Sequence, residues 1–291
     1  MNYVPVAVVT GATRGIGRAI ASLLSRKGLA CVLIGSSAES VRRVRVGEQL
    51  HFTHPFQKHR ALAIDLARWP EWTGESRFWG VDFSGGETAG AVAGEAREGS
   101  FRLFPGPREQ LWETPGAHYF VSLLVNCAGV SQHSLSVRTG PAQIQRIMNL
   151  NFASCVSLSN LAAKQMLHTV RQRVPPQHCV APYVSPCIVN ISSVLGAPQM
   201  AIPGTTVYAA SKAALSQYTR VLTQEVTSWG VRAACLEPGL VSGTDMTNEL
   251  GADAQRQLVD GLIGLPTQTP EDVAAAVWQV YAGENAREDM Q

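Results

Sequence analysis

The segment VTGATRGIGRAI, Val9–Ile20, constrains the fold of this chain more than any other. An apolar run leads into three glycines, Gly11, Gly15 and Gly17, and a small-residue, apolar run follows. Three residues lie between the first two glycines and one before the third. A strand turning into a helix has a use for each. Gly11 permits the tight turn, Gly15 lets backbone approach a ligand, and Gly17 lets the helix pack on the sheet. The helix start then offers unpaired N–H groups and the positive end of its dipole to a pyrophosphate. The junction therefore predicts a dinucleotide site at the first βα turn of a parallel sheet.

The rest of the chain agrees with that start. Strand-length apolar runs alternate with helix-period segments, the pattern of a parallel α/β sheet. Strands are expected at Val4–Thr10, Ala30–Gly35, Ala61–Ile64, Val121–Val125, Cys187–Ile191 and Val231–Leu236. Helices are expected at Gly15–Lys27, Asn151–Arg171, Val207–Trp229 and Pro270–Tyr281, with Gly28 as a left-handed stop after the first. The fold class is α/β, a Rossmann-like doubly wound parallel sheet, with residues 1–291 forming a single domain. Trp69–His118 breaks the rhythm: it is rich in glycine, weak in periodicity, and reads as a helix plus a loop insertion. A second, proline-containing insertion runs from Val174 to Pro186.

Composition removes several function classes. The net charge is +2, with 24 Lys and Arg against 22 Asp and Glu, and no dense basic run suggests nucleic acid. No apolar stretch reaches the ~18 residues of a membrane span. Six cysteines are scattered with no C-x-x-C pair, which reads as buried free thiols, and no metal site is expected. The start of the chain shows neither a signal nor a transit pattern, so the sequence alone points to the cytosol.

The tip of the second strand bears on the cofactor. A carboxylate there would bond the ribose hydroxyls of NAD. This chain has Gly35, Ser36 and Ser37 instead, with Glu39 late. Arg14, inside the glycine turn beside Thr13 and Ile16, is placed to face a 2′-phosphate, and hydroxyls with a guanidinium favour NADP(H). Asp65 either contacts the adenine or is an ordinary turn-capping acid.

The chemistry is carried by VYAASKAAL, which places Tyr208 and Lys212 four apart on one helical face. Ser193 follows the fifth strand, fifteen residues earlier, and Asn151 sits near the start of the preceding long helix. A free tyrosine, with a pKa of about 10, is a slow acid near neutrality, and a nearby ammonium favours phenolate. Such a pair can protonate a carbonyl oxygen as hydride arrives. A serine hydroxyl on the same oxygen stabilises its developing charge.

Together, T-G-x-x-x-G-x-G, the NCAG of Asn126–Gly129, Asn151, Ser193, Y-x-x-x-K and Pro238–Gly239 resemble the short-chain dehydrogenase/reductase family along nearly the whole chain. The resemblance implies a Tyr/Lys/Ser/Asn tetrad and a nicotinamide cofactor. Asn151 would hold a water beyond Lys212. Asn126, Ala128 and Gly129 would support the sheet near the adenosine, and Pro238, Gly239 and Thr244 would line the nicotinamide. Lys212 would also bond the nicotinamide ribose. Within the family, GSSAES, SLSVRT, PGTTVYAASKAALS and the long middle insertion look most like 3-oxoacyl-[acyl-carrier-protein] reductases, nearest the yeast mitochondrial form. That implies NADPH, a carrier-bound 3-oxoacyl partner in fatty-acid synthesis, and a mitochondrial location. Arg138, Arg171 and Arg173 either meet an acidic carrier or are solvated surface groups. The alternatives are a general carbonyl, quinone or hydroxysteroid reductase, and a non-catalytic nucleotide-binding partner. Three departures stand out: Gly243 lies between Pro238–Gly239 and Thr244, the Trp69–His118 insertion has no counterpart in the short bacterial enzymes, and the family's last strand is expected to be missing. A homodimer or homotetramer through helices 151–171 and 207–229 is the expected assembly.

Overall fold

A computed structural model describes residues 1–70, 77–84, 92–100, 103–104, 109–244 and 266–283. Eight strands form one sheet: β1 (Asn2–Thr10), β2 (Ala30–Gly35), β3 (Lys58–Ala63), β4 (Arg77–Ser84), β5 (Val92–Ser100), β6 (Ala117–Asn126), β7 (Cys187–Ile191) and β8 (Arg232–Leu236). Their order is β5-β4-β3-β2-β1-β6-β7-β8. The six strands β1, β2, β3, β6, β7 and β8 run parallel, while β4 and β5 join antiparallel at one edge. The order reverses between β1 and β6, and in such sheets the crevice beyond the carboxyl ends at that reversal is where ligands bind.

The helices are α1 (Gly15–Arg26), α2 (Ala38–Arg42), α3 (Pro141–Met148), α4 (Ser154–Arg171), α5 (Thr206–Thr227) and α6 (Pro270–Ala282). Strand β1 shows why both faces are covered. Val4, Val6 and Val8 point into one core layer with Leu158, Ala162 and Met166 of α4 and Leu222 of α5. Ala7 and Val9 point into the other, with Ile20 and Leu24 of α1 and Val277 and Tyr281 of α6. A fully buried valine contributes about 1.5–3 kcal/mol, so a strand apolar on both faces is stable only between two helical layers. Gly28 follows α1 at φ +90°, as its left-handed role requires.

Three expectations need correction. The 69–118 insertion carries no helix among its described residues; it forms the β4–β5 strand pair. Trp79, Val81 and Phe83 alternate toward the core, and Asp82 on the opposite face pairs with the buried Arg60 of β3 at 2.5 Å. Trp112 closes over that guanidinium, 5.2 Å from its ring centroid. The long helix expected from Asn151 is instead α4 preceded by a π-helical turn, Asn149–Ala153, which links it to α3. The fourth strand is also longer than its apolar centre, running Ala117–Asn126. The described residues end one position after α6, so the expectation about a last strand lies outside them; among the described residues β8 is the edge strand of the sheet. The second insertion lies against β1, where Val180 N–H donates to the Tyr3 carbonyl at 3.0 Å. All six cysteines are free thiols, and among the described residues no helix is long and apolar enough to cross a membrane.

Candidate active site

The glycine turn has the close geometry that its spacing demands. Gly11 has φ +64°, and a Cβ there would lie 2.9 Å from Ala128 Cα. A Cβ on Gly17 would lie 2.3 Å from the Gly11 carbonyl oxygen, so α1 starts directly against the turn. Gly15, at φ +51°, faces the Thr244 methyl, 3.7 Å from where its Cβ would be. Arg14 is the N-cap of α1 and makes no side-chain cap, which leaves the helix start to an outside anion. One side chain of the motif and one from outside it hold the turn. Thr10 Oγ1 accepts the Cys127 and Ala128 N–H groups, each at 2.9 Å. Gln49 Nε2 donates to the Ala12 carbonyl at 2.7 Å. A glycine cradle of this shape with an uncapped helix start fits a dinucleotide pyrophosphate.

Beside the turn lies a cleft open to solvent. Ile16, Gly129, Ser193, Tyr208, Lys212, Pro238, Gly239 and Thr244 all line it, together with Cys127, Gln132 and His133. Tyr208 and Lys212 sit on the first turns of α5, with Lys212 Nζ 5.9 Å from the phenol ring centroid. The ammonium donates to the Ile191 carbonyl at 2.8 Å, at the end of β7. Ser193 follows that strand and caps a short 3-10 turn, accepting the Leu195 N–H at 3.2 Å; its own hydroxyl proton remains to be donated.

Asn151 is fully buried in the π-helical turn. Its Oδ1 accepts the Val130 N–H at 2.9 Å, and its Nδ2 donates to the Val130 carbonyl at 3.0 Å and to Ser211 Oγ at 3.1 Å. A Cβ on Gly129 would stand 3.4 Å from Asn151 Oδ1 and 3.6 Å from Lys212 Nζ, so the glycine brings these two groups to one spot. Burial pushes the Cys127 thiol up to about 12, the nearby Lys212 ammonium opposing only in part, so this thiol is a neutral wall of the cleft.

Not every expected residue reaches the cleft. Asn126 is turned into the interior, where its amide donates to Asn190 Oδ1 at 2.8 Å and Ser159 Oγ at 3.1 Å; it braces β6 against β7 and α4. Asp65 is exposed past β3 and caps a 3-10 turn through the Ala67 N–H at 3.1 Å, the turn-capping alternative. Ser36 is exposed at the end of β2, and Ser37 caps α2 with a capping box. Thr13 lies under that strand end, its methyl 2.7 Å from where a Gly35 Cβ would be. Thr244 is buried at the cleft despite the extra Gly243, which takes φ +70° to make the turn. Gln49 and Gln132 carry no signal in the sequence, because their partners lie far along the chain.

Fold and site together define a nicotinamide-cofactor oxidoreductase built on a dinucleotide-binding sheet. The short chain dehydrogenase family model matches residues 5–72 and 116–255, breaking off where the β4–β5 pair is inserted. The chain belongs to that family. It is 31% identical over 260 residues to a 3-oxoacyl-[acyl-carrier-protein] reductase of Pseudomonas aeruginosa, covering 89% of this chain and 82% of the relative. It is 28% identical over 267 residues to carbonyl reductase family member 4 of Danio rerio, covering 91% and 88%. Among solved structures, a proposed NAD(P)-dependent gluconate 5-dehydrogenase of Beutenbergia cavernae, with NADP at low occupancy, matches at TM-score 0.65 and 26% identity, covering 94% of this chain and 88% of that one.

Proposed function

We propose that this chain reduces 3-oxoacyl thioesters held on an acyl carrier protein to 3-hydroxyacyl thioesters, using NADPH. The observation that carries the reading is the convergence of Ser193, Tyr208 and Lys212 on one cleft beside the glycine turn, with Asn151 packed behind them. Bound there, a reduced nicotinamide supplies the hydride. Gly11, Gly15 and Gly17 would receive the pyrophosphate, with Arg14 and Ser36 toward the 2′-phosphate and Pro238, Gly239 and Thr244 along the nicotinamide side. Ser193 donates its hydroxyl proton as a hydrogen bond to the substrate carbonyl oxygen. Tyr208 transfers its phenolic proton to the same oxygen. Lys212 keeps N–H groups beyond the Ile191 bond for the ribose and for the phenolate left behind. Asn151 holds the Val130 backbone and the α5 turn that carries both groups.

The substrate class rests on similarity to reductases of that name and on the open cleft mouth. The carbonyl reductase of Danio rerio supports a second reading, reduction of free ketones or quinones. Steady-state kcat/KM for a 3-oxoacyl carrier thioester series against free ketones and quinones, with NADPH and NADH in parallel, decides between them. The first reading expects carrier thioester with NADPH to be preferred by at least about tenfold, roughly 1.4 kcal/mol of transition-state binding. No NADPH oxidation with any 3-oxo compound, despite cofactor binding, would instead indicate a nucleotide-binding partner protein. A homodimer or homotetramer through α4 and α5 accompanies the proposal and is tested by light scattering. A mitochondrial location rests on the resemblance alone and is tested by fractionation.

A further inference from the structure

Tyr208 is the third residue of α5, so its backbone N–H is one of the donors that an α-helix leaves without an internal partner. The local cap does not take it. Thr205 precedes the helix but makes no side-chain cap, and its hydroxyl is spent on the Ile202 carbonyl at 2.8 Å. Gln132 takes over from 75 and 76 positions away: its Oε1 accepts the Val207 N–H at 2.6 Å and the Tyr208 N–H at 3.1 Å. The other end of the same side chain is equally occupied. The two Nε2 protons are shared among three acceptors, Thr139 Oγ1 at 2.9 Å, Ser134 O at 3.0 Å and Thr206 Oγ1 at 3.3 Å. Gln132 is 1% exposed, so these bonds form away from competing water.

The carbonyl of Tyr208 is held as well. Ser211 Oγ donates to it at 2.7 Å, and Ser211 Oγ accepts from Asn151, which is bonded to Val130. Both backbone polar groups of the tyrosine are therefore tied to one short segment after β6, through Val130 and Gln132. The segment then continues as His133 at the cleft and the loop that Thr139 closes, with Thr139 Oγ1 donating to the Leu135 carbonyl at 3.1 Å.

We propose that Gln132 is the positioning residue for Tyr208: its carbonyl end fixes where the phenol stands, and its amide end ties that position to the 133–139 loop, whose His133 lines the cleft. Substrate lodged against the loop is thereby in register with the proton donor. The inference rests on the reading of Tyr208 as the proton donor. It predicts that the two ends of one side chain govern different kinetic constants. A displacement of the donor by about 1 Å costs up to a hundredfold in rate, whereas a loosened loop weakens substrate binding.

The test uses the full chain and three variants, read by NADPH fluorescence titration, thermal melting and steady-state kinetics on a 3-oxoacyl thioester. Gln132→Glu keeps the two acceptor bonds and loses the donated ones; it is expected to hold kcat within about threefold while raising KM by about fivefold or more. Gln132→Ala loses both sets and is expected to lower kcat by about tenfold or more with NADPH affinity unchanged. Equal losses of kcat in the two variants, or a kcat in Gln132→Ala within twofold of the parent, overturns the proposal. If Gln132→Ala does not fold, Gln132→Glu alone decides: kcat held with KM raised supports it, and kcat lost or KM unchanged overturns it. Tyr208→Phe is the control. If that variant turns over like the parent, the reading of Tyr208 fails first; if it is inactive, the Gln132 result speaks for Gln132 alone.

Discussion

Lys212 Nζ donates to the Ile191 carbonyl at 2.8 Å, and this one bond sets the spacing of the site. It ties the second turn of α5 to the end of β7, where Ser193 begins its own turn two residues on. Lys212 is buried and its ammonium is anchored by that bond, so its remaining N–H groups are aimed rather than free to wander. The reacting groups thus come from β7 and α5 while the cofactor cradle comes from β1 and α1, and the β1–β6 reversal brings the two sets together.

Tyr208→Phe should lower kcat for NADPH-dependent carbonyl reduction by about 10²–10⁴-fold, the range that a positioned proton donor contributes. Cofactor affinity should stay within about threefold, because the phenol oxygen is not part of the glycine cradle. Single-turnover NADPH oxidation together with fluorescence titration measures both. Parent-level turnover in the variant removes Tyr208 from the chemistry.

Gly17→Val should abolish tight cofactor binding. Even a Cβ here would meet the Gly11 carbonyl oxygen at 2.3 Å, so backbone must move, and the backbone that moves is the turn itself. Overpacking of this kind costs about 1–3 kcal/mol in stability. The expected signature is a lowered Tm together with at least about a tenfold rise in the NADPH Kd. An unchanged Kd would show that the turn is not the phosphate cradle.

Much of this site is legible in the sequence, and the reason is locality. The glycine turn and the Tyr208–Lys212 pair are each encoded within one element, where spacing alone fixes geometry. Asn151 was legible as a residue but not as a conformation, because a π-helical turn shifts the helical phase by one residue and leaves no compositional mark. The β4–β5 pair is not legible, for a different reason. Trp79, Val81 and Phe83 alternate as a strand should, but Gly80 and Asp82 interrupt them, and Asp82 makes sense only once Arg60 is seen opposite it. Gln132 gave no signal, since a glutamine just after a strand looks like any loop residue until its partners on α5 arrive.

Cofactor choice should follow the second strand's tip. Ser36 and Arg14 are both exposed at the rim of the cradle, and no carboxylate occupies the end of β2. Ser36→Asp combined with Arg14→Ala should shift the NADPH-to-NADH ratio of kcat/KM toward NADH by about ten- to a hundredfold, since a carboxylate repels the 2′-phosphate and bonds the ribose hydroxyls. Each single variant should give part of the shift. A ratio unmoved by the double variant would place the 2′-phosphate elsewhere.

The last prediction concerns acid stability and lies away from the cleft. His59 on β3 is fully buried, with Nδ1 accepting the Cys31 N–H at 3.1 Å and Nε2 3.0 Å from the His51 carbonyl. That pairing requires the neutral ring with its proton on Nε2. Burial lowers its pKa from 6.5 to about 4; the backbone bond to His51 opposes that shift, and the neighbouring His51 and His54 add to it. Burial is likewise the main cause of the lowered values of His51, His54 and His118. A base whose folded pKa lies below its unfolded value is protonated first in the unfolded chain. Its contribution is therefore whole above pH 6.5 and is lost as pH falls toward 4, by about 3 kcal/mol for His59 alone. Denaturant melts at pH 7.5, 6, 5 and 4.5 should show stability falling steadily across that range. His59→Gln removes the titrating group, and its stability should vary less with pH over the same window, whatever its absolute value. A pH dependence equally steep in that variant would assign the loss of stability to other groups.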